Sequence, residues 1–347
     1  MATLTQTGGT RPRPTMNDVA ALSGVSLKTV SRVVNGEPTV SPDLVARVKR
    51  AAAQLNYRHN LTASSLRSGG RTKTIGLLLE DVSNPFSAML HRAVEDVASQ
   101  RGVAVLAASL NEDPDREQRL ALALISRRVD GVIIVPATED QSYLFDERRA
   151  GTAMVFVDRP PNLLDADCVL AENRRGAGEG VEHLVKHGHL RIAFLGDLRQ
   201  IWTERERYLG YVETLQRCGV LLDPALVVHD LHSSEAAESA VGALLDRPDP
   251  PTAIFASQNL LTIGSIGALR ARGLRHAVAL VGYDDFVLAD LLDPGVSVVA
   301  QNPTEMGRIA AETLFARIDG DNTKSRCVVT GTQLITRGSG EIRIGSG

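Results

Sequence analysis

The sequence of 347 residues contains only three cysteines and no long apolar run. Cys168, Cys218 and Cys327 are far apart, odd in number and outside any CxxC pattern, so they predict neither a disulfide framework nor a zinc finger. No stretch approaches the roughly 18 to 20 apolar residues of a membrane span, and the N-terminus lacks the apolar segment of a signal peptide. We therefore expect a protein of the reducing cytoplasm without membrane contact, beginning with a disordered tail over residues 1–14.

Motifs of catalysis and metal binding are also missing. The sequence contains no Walker loop and no GxSxG elbow, and the GAGEG string at 176–180 does not satisfy GxGxxG. His183 and His187 lie four residues apart, with His189 after Gly188, but no acidic or Cys partner stands nearby at metal-motif spacing. This pattern favours a helix end with solvated histidines over a metal site, so we expect no cofactor, no metal and no catalytic residue.

The charge is distributed unevenly along the chain. Residues 11–73 hold eleven Lys and Arg against three acids, a net charge of +8, whereas the remainder holds 27 basic against 38 acidic residues, a net charge of -11. This asymmetry predicts a basic head that binds a polyanion and an acidic body that does not.

Three short helices are predicted within the basic head, residues 15–59. A helix begins near Asp18, Gly24 permits a sharp turn, and Ser26 is a candidate N-cap for a second helix that ends near Val34. Ser41, Pro42 and an acid in the first turn predict a third helix that ends near Leu55.

The second helix has one apolar face and one polar face. Val30, Val33 and Val34 share the apolar face, which we expect to pack against Val19, Leu22 and Val48. The opposite face carries Leu27, Lys28, Ser31 and Arg32. An ordinary small bundle with a solvated helix is one interpretation. The charge and the glycine turn favour another, a helix-turn-helix whose polar face enters the major groove of DNA.

The string DVAALSGVSLKTVSRVVNG, followed by VSPDLVARVKRAAAQLNYRHN, closely resembles the DNA-binding head of the LacI/GalR family of bacterial transcription regulators. The resemblance implies that Leu27 and Lys28 read bases and that Arg32 makes a more general base contact. The residues it places near phosphates, which position the protein, are Thr15, Ser26, Thr29, Ser31 and Asn35.

Residues 60–73, NLTASSLRSGGRTK, have the small, polar and glycine-rich composition of a linker. The resemblance implies a hinge helix that folds on DNA, with contacts from Ala63 and with Leu66 wedged into the minor groove. The sequence departs from the family pattern at His59, where proline is usual, and at Ser64, where arginine is usual. A flexible linker with an incidental leucine is the alternative.

From Thr74 onward, β-like runs alternate with amphipathic helices, and the pattern restarts near residue 190. This alternation predicts two α/β lobes with parallel sheets, each covered by helices on both faces. Motifs such as DVSNPFSAML, VFVDRP and VGYDDF resemble the effector-binding core of the same family, itself similar to periplasmic sugar-binding proteins. The resemblance implies lobe 1 at about 74–170 and 301–328, lobe 2 at about 171–300 and 329–347, and a dimer formed through both lobes.

Ligands of open α/β sheets bind beyond the carboxyl ends of the strands. Polar side chains predicted at those ends include Ser83, Asp158, Gln258, Asn259 and Asp284. The resemblance adds Phe86 and Arg207 to the same cleft; the alternative is that the strand-end residues only cap helices. Carboxylates and amides suit a polyhydroxylated ligand. The family's common Asn-Asp pair is Gln258-Asn259 here.

We therefore predict a transcription regulator, a repressor, that binds a pseudo-palindromic double-stranded operator as a homodimer. A small effector, a sugar or sugar derivative, controls the binding. An activator or a corepressor-dependent regulator is the alternative, since the sequence leaves the sign of the response open. A solute-binding protein would need a signal peptide and no helix-turn-helix, and a sugar-processing enzyme would need a catalytic pair.

Overall fold

The computed structural model describes residues 14–34, 37, 39–58 and 71–344. The chain divides into two compact units, Met1–Thr72 and Lys73–Gly347. Within the described residues, no helix is both long enough and apolar enough to span a membrane.

Within its described residues, the first unit contains three helices, α1 (Met16–Ser23), α2 (Leu27–Val34) and α3 (Pro42–Gln54). Thr15 and Asp18 form a capping box at the start of α1, and Gly24 ends the helix with a φ of 64°. Ser26 caps α2 as predicted, because its Oγ accepts a hydrogen bond from the Thr29 backbone N–H at 3.2 Å. Ser41 precedes α3 but makes no side-chain capping bond, so the helix start depends on the fixed φ of Pro42.

Valines form the small core of this unit. Val19, Val30, Val33 and Val48 are buried together with Ala51, and the predicted apolar face of α2 is confirmed. The prediction for Leu22 was wrong, since its side chain is 46% exposed. The buried stripe of α1 runs through Val19 and Ser23, four residues apart, and residue 22 falls outside that stripe.

The second unit contains two sheets of six strands each within its described residues. The first sheet comprises β1 (Thr74–Leu79), β2 (Ala104–Ser109), β3 (Gly131–Ile134), β4 (Ala153–Val157), β5 (Asp167–Ala171) and β11 (Cys327–Thr330). Their order is β11-β5-β4-β3-β1-β2. Every pair is parallel, as predicted.

The second sheet comprises β6 (Ile192–Leu195), β7 (Val227–Val228), β8 (Ala253–Ala256), β9 (Ala279–Tyr283), β10 (Ser297–Ala300) and β12 (Gln333–Ile335). Their order is β12-β10-β9-β8-β6-β7. The predicted parallel arrangement holds for every pair of this sheet except one, since β12 pairs with β10 in the antiparallel sense. Only residues 331–332 separate β11 from β12, so the chain enters the second sheet without a helical crossover that could restore the parallel direction.

Helices cover both faces of each sheet. They are α4 (Pro85–Gln100), α5 (Pro114–Ser126), α6 (Phe145–Arg149), α7 (Asn173–Lys186), α8 (Trp202–Arg217), α9 (Ser234–Leu245), α10 (Asn259–Ala271) and α11 (Pro303–Ile318). Three single-turn 3-10 helices lie at Ser142–Leu144, Pro224–Leu226 and Ser339–Glu341. Successive residues of β1 alternate between the two faces: Leu77 and Leu79 join one buried cluster, and Leu78 joins the other. Sheets buried in this way explain the nearly continuous apolar runs of the sequence.

The chain crosses between the two lobes after β5, after β10 and after β11. The boundary expected near 328 therefore falls inside β11, and the third crossover follows Thr330. Three strands thus lead directly into the segments that join the lobes.

Cys168 and Cys327 form a disulfide, contrary to the prediction from their spacing. The two residues are directly opposite each other on β5 and β11, with their Cα atoms 4.5 Å apart. Sheet register brings them together across 159 residues of sequence, which spacing patterns do not report. Cys218 is free.

The histidines near the end of α7 hold the C-terminal segment of the chain. His183 Nε2 lies 2.5 Å from Glu341 Oε1, and the ring of His189 contacts Thr252 Oγ1 at 3.0 Å and the Ile342 carbonyl oxygen at 2.7 Å. His189 is fully buried, so the expectation of solvated histidines was wrong for this residue. Among the described residues, no group of three potential ligands could hold a metal ion.

The disulfide predicts a redox-dependent stability of the core. Cys327→Ser should lower the free energy of unfolding by about 2 to 4 kcal/mol without reductant, because the crosslink restricts the unfolded chain. Urea unfolding with and without dithiothreitol measures this effect. Cys218→Ser is the matched control and should match the wild type. Equal losses in the two variants, or a wild type insensitive to reductant, would contradict the prediction.

Candidate DNA-binding face and ligand cleft

The polar face of α2 points outward from the first unit. Leu27 is 45% exposed and Lys28 is also exposed, whereas Ser31 and Arg32 are partly exposed. Helix α2 therefore has the predicted orientation, with an apolar side chain and a cation presented together at its first turn.

Arg32 has only a weak partner within the described residues. Its Nε lies 3.5 Å from Glu37 Oε2, and both side chains are almost half exposed. An exposed ion pair of this kind contributes about 0 to 1 kcal/mol, so the guanidinium can exchange Glu37 for another acceptor at little cost.

Three of the predicted phosphate-contacting residues, Thr15, Ser26 and Thr29, lie at the starts of helices, whereas Ser31 lies in the middle of α2. Thr15 Oγ1 donates to Asp18 Oδ2 at 2.8 Å, and Ser26 Oγ lies 2.9 Å from Thr29 Oγ1. Helix N-termini favour phosphate groups because their first N–H groups are unpaired and carry partial positive charge. Asn35, Ala63 and Leu66, the remaining predicted contacts, lie outside the described residues.

In the second unit, two aspartates end equivalent strands. Asp158 follows β4 and Asp284 follows β9, and each of these strands is third in its sheet. Both residues have a positive φ, 69° and 65°, which aspartate tolerates better than most residues. Each backbone N–H donates to the neighbouring strand at 2.9 Å, to the carbonyls of Val169 and Val299 respectively. The two lobes therefore present buried carboxylates at corresponding positions.

Arg207 of α8 connects the strand ends of the second lobe. Its Nε donates to Asn173 Oδ1 at 2.8 Å, and its Nη1 donates to the Ser257 carbonyl at 2.7 Å. Nη1 also lies 3.6 Å from Asp284 Oδ2. The guanidinium is stacked on the Tyr283 ring, 3.9 Å from its centroid, a favourable cation–π geometry.

Burial dominates the electrostatics of this cluster. It raises the pKa of Asp158, against the opposing effects of Arg159 and Arg207. It likewise raises the pKa of Asp284, against the effects of Arg207 and of the hydrogen bond from Gln301. Asp158 responds to Arg207 and Asp284, which belong to the other lobe, so the three charges form one cluster between the lobes.

Arg159 occupies the first-lobe side of the cleft. Its Nη1 and Nη2 donate to the two carboxylate oxygens of Glu112, each at 2.7 Å, and Nη1 also donates to the Pro136 carbonyl at 2.9 Å. Its Nε is 3.6 Å from Asp158 Oδ2. Glu112 and the Pro136 carbonyl therefore engage both terminal nitrogens of this cation, whereas its Nε has no hydrogen-bond partner.

Among the described residues, three polar contacts join the lobes directly, and one of them pairs Arg205 of α8 with Glu139 of the first lobe. Asn259 Nδ2 donates to Asn84 Oδ1 at 3.0 Å. His232 Nε2 lies 3.8 Å from Glu80 Oε1, while its Nδ1 lies 2.7 Å from Asp197 Oδ1.

A cavity of about 250 Å³ opens beside Arg159, between the lobes. Its lining comprises residues 136–139 and 159–162 of the first lobe and Gln200, Ile201, Trp202 and Arg205 of the second. None of the seven predicted cleft residues, all of which are described, is in that lining. Trp202, the single tryptophan of the chain, lies there with several prolines.

The predicted cleft residues fall into three groups. Asp158, Arg207 and Asp284 form the charged cluster, Asn259 makes an inter-lobe contact, and the other three make contacts within one lobe. Gln258 donates to Asp197 Oδ2 at 2.9 Å within the second lobe. Ser83 is exposed and donates to Asp81 Oδ2 at 2.7 Å, and Phe86 packs against the core of the first lobe.

Sequence reasoning missed many polar groups of the cleft. They are Glu80, Glu112, Arg159, Asn173, Asp197, His232, Ser257, Tyr283 and Gln301. Most of them end a strand or lie within two residues of a strand end, so the strand-end rule, applied to every strand and crossover, would have found these.

Comparisons with known proteins agree with this architecture. Residues 15–60 match the model of the bacterial regulatory proteins, lacI family, and residues 181–340 match that of the periplasmic binding protein-like domain. The HTH-type transcriptional regulator DegA of Bacillus subtilis is 32% identical over 334 residues, which cover 94% of this chain and 98% of that protein.

Two solved structures are also similar. The complex of the transcriptional regulator CelR with cellobiose is 33% identical, has a TM-score of 0.70, and covers 94% of this chain and 100% of its own. The lac repressor dimer bound to operator and the anti-inducer ONPF matches in fold, with a TM-score of 0.83 at 24% identity, over 95% of this chain and 99% of its own. The predicted fold is thereby confirmed, and the chain belongs to the lacI family of bacterial regulatory proteins, whose members are DNA-binding transcriptional regulators.

Proposed function

We propose that this regulator represses transcription by binding a pseudo-palindromic operator as a homodimer, and that a carbohydrate in the cleft controls the binding. It works in the cytoplasm and acts by binding, without catalysis. The observation that carries the proposal is the pairing, in one chain, of an outward polar helix face with a buried polar cluster between two lobes. The lac repressor structure, a dimer bound to operator, supports operator binding as a homodimer. The CelR complex with cellobiose supports control by a carbohydrate.

On DNA, α2 enters the major groove. Leu27 contacts a thymine methyl group, and Lys28 donates to acceptors on a base edge. Arg32 leaves Glu37 and donates to O6 and N7 of a guanine, because the weak exposed pair with Glu37 is easily exchanged. Helix starts at Thr15 and Ser26 fix the register on the phosphates.

Effector control follows from the contacts between the lobes. Asn84 with Asn259 and Glu80 with His232 join the lobes at the positions where a ligand binds. A ligand that fits one arrangement of the lobes better than another shifts the population toward that arrangement. Operator affinity then changes by the differential binding free energy of the ligand for the two states.

Arg32→Ala tests whether the polar face of α2 contacts bases. We expect it to weaken binding to the preferred operator by about 1 to 3 kcal/mol, because a bidentate contact to guanine is lost, and to reduce the ratio of specific to non-specific affinity. Duplexes selected from a random pool supply the operator, and fluorescence anisotropy measures both affinities.

Lys49→Ala is the matched control, since Lys49 is an exposed cation on α3 and its loss should leave the specificity ratio unchanged. If the Arg32→Ala protein kept the wild-type ratio of specific to non-specific affinity, Arg32 would not make a base contact.

Asp284→Asn tests the cleft. Asparagine tolerates the positive φ of this position but removes the charge beside Arg207. At least tenfold more sugar should therefore be needed to change operator binding. Operator affinity without sugar should stay at the wild-type level. Asp285→Asn is the control, because the neighbouring Asp285 pairs with Arg337 at 2.7 Å. Equal effects of the two substitutions, or loss of DNA binding, would contradict a role in the effector site.

The inter-lobe contact of Glu80 predicts a pH dependence. Burial, with the nearby Glu112 carboxylate, raises the pKa of Glu80 from 4.5 to about 7, and the hydrogen bond to Asp197 raises the pKa of His232. The folded state therefore holds more protons than the unfolded state between about pH 4.5 and 7, so stability falls as pH rises through this window.

We expect the free energy of unfolding to fall by on the order of 1 to 3 kcal/mol from pH 5 to pH 8 through this pair. Glu80→Gln should flatten the dependence, whereas Glu95→Gln, at an exposed position of α4, should not. Urea unfolding at several pH values measures both slopes, and an unchanged slope in Glu80→Gln would refute the assignment.

A further inference from the structure

The cleft between the lobes offers mainly hydrogen-bond acceptors. Among its buried polar atoms without a hydrogen-bond partner, Asp158 Oδ1, Asn259 Oδ1 and Gln301 Oε1 are acceptors, Arg159 Nε is a donor, and the Tyr283 hydroxyl can be either. In the two amides the nitrogen already donates, to Asn84 and to Asp284 respectively, so the unused atom is the oxygen. Buried polar atoms without partners are costly, and a ligand that donates hydrogen bonds would satisfy the three acceptor oxygens.

Carboxylates also outnumber cations around the cleft. The acidic groups are Glu80, Glu112, Asp158, Asp197 and Asp284, and the basic groups that interact with them are Arg159, Arg207 and His232. A further anion placed here would meet net repulsion in a medium of low dielectric constant.

Each of these cations is already engaged by the protein. Glu112 holds Arg159 through a bidentate pair, and Asp197 holds His232. Arg207 donates to Asn173 and to the Ser257 carbonyl.

The adjoining cavity contains one further cation, Arg205. Its guanidinium donates to the Gln200 carbonyl at 2.9 Å and is paired with Glu139. A phosphate or carboxylate is commonly held by charge-assisted donors such as a bidentate arginine, and the arginines described around this cleft already serve acceptors of the protein.

We propose that the effector is a non-anionic carbohydrate, an unphosphorylated sugar or an amino sugar, whose hydroxyl or ammonium groups donate to Asp158, Asn259 and Gln301. Sugar phosphates and sugar acids are rejected by the same site. A hydroxyl group both donates and accepts, whereas a phosphate carries about -1.5 to -2 charge near pH 7 and acts mainly as an acceptor. This inference rests on the proposed carbohydrate control and narrows it to one class of carbohydrate.

Isothermal titration calorimetry of the full-length protein with matched ligand sets tests the proposal. The sets are glucose, glucosamine, glucose 6-phosphate and glucuronate; ribose and ribose 5-phosphate; and cellobiose and cellobionate. We expect binding by neutral or amino members of at least one set, with every anionic member of that set at least tenfold weaker. An anionic member that binds as tightly as its neutral counterpart overturns the proposal.

Failure of every ligand to bind would also overturn it, because the carbohydrate class itself would then be wrong. Selection of duplexes with the same protein preparation separates this outcome from failure of the proposed DNA-binding function. An enriched inverted repeat would leave that function standing.

Asp158→Asn tests the physical cause of the discrimination. Removal of this buried charge should weaken binding of the neutral sugar at least threefold. It should also reduce the ratio of the affinity for the neutral sugar to that for the phosphorylated form. Asp146→Asn, an exposed aspartate on α6, is the control and should leave both affinities unchanged. If Asp158→Asn folds with the wild-type melting temperature and keeps the wild-type ratio of affinities for the neutral and phosphorylated sugars, the carboxylate does not exclude anions and the proposal fails.

Discussion

Two aspartates held in the left-handed conformation at the ends of equivalent strands determine the chemistry between the lobes. The backbone N–H of each completes a hydrogen bond to the adjoining strand, Asp158 to Val169 and Asp284 to Val299, which fixes where the side chain emerges. Two carboxylates are thereby buried near each other. Buried charges need partners, and Arg207, tied to Asn173 and Ser257, is held in place to interact with both. Arg207 thereby connects α8 to the start of α7 and to the residue that follows β8.

The same requirement couples the lobes. A buried charge that depends on groups of both lobes has different surroundings when the lobes move, and its free energy changes with their arrangement. Asp158 on the first lobe responds to Arg207 on the second, and Glu80 faces His232 across the same gap. Ligand binding and lobe arrangement are therefore linked through electrostatics, without any need for a continuous path of moving side chains.

Local patterns in the sequence predicted local structure well. The alternation of apolar runs located the strands, and valine spacing oriented α2, because burial periodicity is a property of consecutive residues. The pairing of Cys168 with Cys327 and the antiparallel β12 depend on register between distant segments, which periodicity does not contain. Asp158 and Asp284 were predictable because a strand end is a local feature, whereas the arginine that compensates them lies on a helix and was identified only through the family resemblance.

The amide at position 259 illustrates how one such distant contact can shape specificity. Asn84 Oδ1 accepts from the Phe86 backbone N–H at 3.0 Å as the N-cap of α4, and it also accepts from Asn259 Nδ2 across the lobes. An aspartate at 259, as is common in the family, could not donate to this oxygen and would oppose it with a second acceptor. Asn84 would then have to rotate and give up its cap, which is worth about 1 kcal/mol. Asparagine thus lowers the negative charge of the cleft by one and connects the start of α4 to the opposite lobe. Because its own oxygen stays without a partner, it adds an acceptor to the cleft without adding a charge, which favours a hydroxyl donor over a second anion.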